Sequence, residues 1–82
     1  MRGGLIAVFV STHETLRAER AFKKAKIKVR ATIKPRKISS SCQMAIAFPA
    51  EQKDDIERVV KKESLSLTGL YKQDSDGNWI EA

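Results

Sequence analysis

The sequence predicts an α+β fold of the ferredoxin-like βαββαβ type: a two-layer sandwich with an antiparallel sheet, two helices on one face and a short C-terminal hairpin. Three observations carry this. Two continuous apolar runs of strand length, GLIAVFV (residues 4–10) and QMAIAF (43–48), are each followed by an amphipathic helix pattern. Between the first helix and the second run, IKVRATI (27–33) alternates apolar and polar residues as a half-exposed strand does.

Each element has its own local reason. The β-branched first run reads as a central strand covered on both faces. In STHE, Ser11 is placed to cap the next helix, with Glu14 returning a bond to the cap backbone. Thr15, Ala18, Phe22 and Ala25 then share one helical face, while His13, Arg17, Arg20 and Lys24 share another. In the next strand Ile27, Val29, Ala31 and Ile33 point to one side. Pro49 is expected in the first turn of the second helix, where its missing N–H costs nothing. That helix carries Glu51, Asp54 and Asp55 early and Lys61 and Lys62 late, matching the macrodipole, and turns Ile56, Val59 and Val60 inward. SLTGLYKQ follows as a strand, DSDGN (74–78) as a turn, and WIEA as the returning hairpin arm.

Size and composition bound what such a fold can do. A chain of 82 residues holds one core, so residues 1–82 are expected to form a single domain with any site on its outside. With 41% hydrophobic and 32% charged residues the balance is that of a globular protein, neither disordered nor membrane-embedded. The first apolar run is too short to span a bilayer or to form a signal-peptide core. One cysteine cannot close an intrachain disulfide, which agrees with a reducing, cytoplasmic location. The net charge of +6, concentrated between Arg17 and Lys37, would attract nucleic acid, an anionic metabolite or an acidic protein without choosing among them. No residue set has zinc-ligand spacing and no glycine loop is built to cradle phosphate, so neither metal nor cofactor is expected.

The segment PRKISSSC (35–42) is where chemistry is expected. Thiolate is the reactive form of cysteine, favoured by nearby cations, helix N-termini and accessible N–H groups. Lys34, Arg36 and Lys37 supply charge, and Ser39, Ser40 and Ser41 supply hydroxyl donors. In a sheet ordered 4-1-3-2, the turn from the first strand into the first helix lies at the same end as the loop between the second and third strands. Ser11, Thr12 and His13 are therefore expected beside Cys42, in a corner suited to a thiolate, a persulfide, a selenide or an oxyanion.

These residues resemble a family. FVSTHETLRAER followed by PRKISSSC and an apolar strand is similar to the small bacterial selenium/sulfur carrier-like proteins, over roughly the first two thirds of the chain. The resemblance implies a cysteine, Cys42, that carries sulfur or selenium. By position, Ser11 and Thr12 match the family's segment after its first strand, Glu19 its helix acid, and Pro35, Arg36, Ser39 and Cys42 its signature loop. Two residues depart from the pattern: Gln43 stands where the family usually has glycine, and Lys37 where it often has an acid. Glycine after the cysteine would let another molecule approach the sulfur closely.

Three functions compete on these grounds. The first is a carrier that holds a persulfide or perselenide on Cys42 and meets a donor and an acceptor protein, so a carrier or binding protein rather than a stand-alone enzyme; a homodimer is left open. The second is a regulatory module binding a small anion or metabolite at Ser11, Thr12, His13, Arg36 and Ser39–Ser41. The third, an RNA-binding ferredoxin-like domain, ranks lower, because it needs exposed aromatics on the central strands and the chain offers only Phe9 and Phe48 in buried-looking runs. Each residue also has a purely structural reading. Cys42 can be a small buried hydrophobe, Ser11 only a helix cap, His13 a solvated residue and the serine run a polar turn.

Overall fold

The computed structural model describes residues 4–38 and 42–82. In chain order the elements are β1 (Gly4–Phe9), α1 (Thr12–Lys24), β2 (Arg30–Ile33), β3 (Met44–Pro49), α2 (Lys53–Lys62), β4 (Leu67–Gln73) and β5 (Trp79–Glu81). The sheet runs β2-β3-β1-β4-β5 with every neighbouring pair antiparallel. Its first four strands therefore stand in the order 4-1-3-2, and β5 is added outside β4.

Register decides which residue faces what. Leu5 pairs with Phe48 and Ala7 with Ile46, and these four, with Phe9, form a core with Ala18 and Phe22 of α1 and Ile56 of α2. Both helices thus cover one face of the sheet, with the Phe9 and Phe22 rings 6.3 Å apart, tilted rather than stacked. On the opposite face Ile6 and Val8 pair with Ala47 and Ala45. None of the described helices covers that side. Ile38, from the loop after β2, is buried there against Ile6, Val8 and Ala45, with Tyr71 and Trp79 packed alongside. This second cover explains why Leu5 through Phe9 are all buried, as a continuous apolar run requires. Gly69, opposite Val8, makes room for it: a Cβ there would meet the Tyr71 hydroxyl at 3.0 Å.

Several local expectations are corrected. The ladder of β2 starts at Arg30, although Ile27 is buried and Val29 packs on the helix-side core just before it. Ile33 is 82% exposed, because it ends the edge strand beyond the reach of either helix. Ala25 lies exposed at the C-cap of α1 rather than on its buried face. Pro49 ends β3 and leads into a single 3-10 turn (Ala50–Gln52), so α2 starts later than the proline suggests.

Both helices stop in the same way. Lys26 and Ser64 adopt left-handed backbone (φ 64° and 53°), and the next residue donates its N–H five positions back, Ile27 to Phe22 and Leu65 to Val60. Ile27 and Leu65 are then buried, the hydrophobic contact that accompanies this stop. DSDGN forms its turn around Asp74, whose carboxylate accepts the Asp76 and Asn78 N–H groups, with Gly77 at φ 84°.

Candidate functional site

Because Val8 pairs with Ala45, the end of β1 that leads into α1 is the end at which the chain enters β3. Cys42 stands two residues before Met44, the first residue of β3 and on the helix-facing side by parity with Ile46 and Phe48. Its Sγ lies 3.2 Å from Thr15 Oγ1 in the first turns of α1. The Met44 N–H donates to Sγ at 3.4 Å, and the Met44 carbonyl oxygen lies at the same distance. Cys42 is 1% exposed and Thr15 is fully buried, so this is a closed polar niche between α1 and the sheet.

The protons in the niche can be traced. Thr15 Oγ1 donates to the Ser11 carbonyl oxygen at 2.9 Å. A hydroxyl has one hydrogen, so with that bond made Oγ1 can only accept on the sulfur side, and the single thiol hydrogen goes either to Oγ1 or to the Met44 carbonyl oxygen. If sulfur is the anion, Thr15 can turn its hydrogen to Sγ, joining the Met44 N–H as a second donor. The same two residues can therefore satisfy the sulfur in either protonation state.

The helix start has its own network. Ser11 caps α1, its hydroxyl oxygen accepting the Glu14 N–H at 3.2 Å. Glu14 does not return a bond to the cap; its carboxylate accepts the Ser66 N–H at 3.0 Å and two bonds from Arg17, tying α1 to the start of β4. The Ser66 N–H first, then the Arg17 guanidinium, hold the Glu14 carboxyl below the usual carboxylate range.

The predicted site residues are brought together only in part. Ser11 reaches Cys42 through Thr15. Thr12 and His13 are exposed on the first turn of α1. The loop cations do not gather on the sulfur: Lys34 Nζ donates to the Ile38 and Pro35 carbonyl oxygens, and Lys37 Nζ donates to Asn78 Oδ1 at 3.1 Å. Asn78 lies in the β4–β5 turn, at the sheet end away from Cys42, since Lys72 pairs with Leu5 and Leu67 with Phe9. This placement follows from Ile38, whose burial draws the loop over the helix-free face. Arg36 is exposed, Gln43 is exposed while its carbonyl accepts the Lys34 N–H, and Glu19 pairs with Lys23. Ser39, Ser40 and Ser41 lie outside the described residues. Sequence reasoning assigned Thr15 to the buried face without a role; a hydroxyl among apolar neighbours was the available signal.

Among the described residues, no three of His, Cys, Asp and Glu gather to hold a metal ion. None of the described helices is long and apolar enough to cross a membrane.

The family model described as "Putative Se/S carrier protein-like" matches residues 4–72, which takes in β1 through most of β4 and every residue of the niche. No curated protein and no solved structure gives a significant match.

Proposed function

The chain belongs to this selenium/sulfur carrier-like family, and from that premise we propose that it carries one sulfur or selenium atom on Cys42 between a donor and an acceptor protein. The observation that supports this reading is the niche itself: Sγ has the Thr15 hydroxyl and the Met44 N–H within bonding range at the start of α1. Two donors and a helix N-terminus suit a sulfur that must become an anion to react.

The transfer needs no outside oxidant. The Cys42 thiolate attacks the terminal sulfur of a persulfide on the donor's cysteine; the new S–S bond forms as the donor's S–S bond breaks, and the donor leaves as thiolate. Delivery runs the same exchange in reverse, with Cys42 as leaving group. Selenium follows the same course with selenium as the atom attacked. The exposed Thr12 and His13 at the start of α1 are assigned to the incoming anion, and Arg36 and Ser39–Ser41, from the loop before Cys42, are proposed to join them. The free thiol that this exchange needs persists in a reducing compartment, so the cytoplasm is the location proposed with it.

Burial favours a second reading, in which Cys42 at 1% exposure is a packing residue and the chain is a small-anion module. One pair of measurements separates the two. Mass spectrometry of protein purified without reductant should find Cys42 heavier by one sulfur or selenium atom, and native Cys42 should alkylate without global unfolding. An unmodified Cys42 that alkylates only on unfolding would leave the anion module.

A further inference from the structure

The helix-free face carries a concavity that the niche does not use. It holds about 560 Å³, with Ile6 and Ala47 as floor, Lys28 and Arg30 on one flank and Gln73 and Trp79 on the other. Trp79 is half-buried against the Ile6 cluster, so its indole is set in place rather than free in solvent. The side chains of Lys28 and Arg30 are exposed and enter no ion pair among the described residues. No Asp or Glu among the described residues lines the groove.

We propose that this groove binds a small aromatic anion, its flat body against Trp79 and its anionic group on Lys28 and Arg30. The volume falls in the range of about 300–1,000 Å³ typical of small-molecule sites. Two cations in a lining without a carboxylate favour negative charge, and an indole beside an aliphatic floor favours a flat apolar body. From β2 to β5 is four strand spacings, roughly 19 Å. Less the reach of a long cationic side chain, that distance calls for a ring system with its charge several bonds away, as in a nucleoside monophosphate or an aryl-alkyl carboxylate. The site is bounded. Pro35 lines it, and Lys37, two residues on, is tied to Asn78 beside Trp79, so the β2–β3 loop bridges one flank to the other. A bounded site suits a small ligand better than a polymer.

The proposal is independent of the carrier reading, since groove and niche lie on opposite faces of the sheet. Its test uses the full chain and nitrogen-15 NMR, in which the one tryptophan gives a single indole N–H signal. Adenosine monophosphate and 1-naphthylacetate serve as the nucleotide and non-nucleotide probes, with adenosine as the uncharged control. At least one anionic probe should shift the Trp79 indole and the Ile6, Arg30 and Ala47 amides saturably, with a Kd of about 1 mM or below. Which probe binds more tightly distinguishes the two sources. Lys28→Gln with Arg30→Gln should weaken anion binding about tenfold, the value of a charge-assisted bond, and leave adenosine binding unchanged. The proposal is overturned by no saturable shift with either probe up to about 10 mM, by equal binding of adenosine, or by shifts confined to Thr15 and Cys42. A single-stranded decanucleotide that binds far more tightly than the monophosphate would also overturn it, identifying a nucleic-acid track instead.

Discussion

Thr15 Oγ1 stands between the Ser11 carbonyl oxygen at 2.9 Å and Cys42 Sγ at 3.2 Å, joining the cap of α1 to the sulfur through one buried hydroxyl. Thr15→Val keeps the shape and removes both bonds, leaving the thiol without this partner. The variant should lose about 1 kcal/mol of stability, and Thr15→Ser should retain most of it. Urea denaturation at neutral pH reads the difference; superimposable curves for Thr15→Val and wild type would show that the hydroxyl contributes nothing.

Ile38 anchors the loop that runs on to Cys42, by burying its side chain against Ile6, Val8 and Ala45. Ile38→Ala should cost about 2 kcal/mol. It should also speed alkylation of native Cys42 by more than the added fraction of unfolded protein accounts for. Lys37→Gln, whose ammonium bonds to Asn78 at the other end of the sheet, should leave that rate as it is. Comparing each rate with stability measured on the same sample checks both statements.

Glu14 makes stability depend on acid. Its folded-state pKa is held below the ordinary value of 4.5, chiefly by the Ser66 N–H and then by Arg17. A depressed carboxyl contributes stability above its unfolded pKa and loses it as pH falls through the lower, folded value. Glu14→Gln should therefore be less stable than wild type near neutral pH, with the gap closing as the solution is acidified below about pH 4.5. Denaturant midpoints across that range measure it, and a constant gap would show that ionisation of Glu14 is not the source.

Both helix stops place a side chain where glycine is favoured. Lys26→Gly and Ser64→Gly should each stabilise the protein by about 1 kcal/mol, since left-handed backbone is costly for residues with a Cβ. The gain is smaller where the added freedom of the unfolded glycine offsets it. A lower midpoint in thermal melts for both variants would contradict this.

Much of the fold was legible because its elements are locally encoded: apolar runs for β1 and β3, the Ser11 cap, and the Asp74–Asn78 turn around a glycine. The two stops at Lys26 and Ser64 were not, because neither offers the glycine that usually marks them. At the site, the shared sheet end of Ser11 and Cys42 followed from strand order alone. The fate of the loop cations did not. Charge spacing suggested that Lys34 and Lys37 serve the sulfur, but a single apolar residue, Ile38, turns the loop across the open face and spends them on carbonyls and Asn78. Thr15 was missed for a related reason: periodicity reports which face a residue occupies, not which neighbour it meets there.

The central position of β1 has a consequence during synthesis. The most apolar stretch of the chain leaves the ribosome before its partner strands, β3 and β4, which begin only at Met44 and Leu67. Until both have emerged, the Leu5–Phe9 segment is an unpaired, β-prone run without a charge or proline to interrupt it, the kind of sequence that associates with copies of itself. Soluble yield should thus depend on how quickly the C-terminal half follows, and slowed translation between β1 and β4 should lower it.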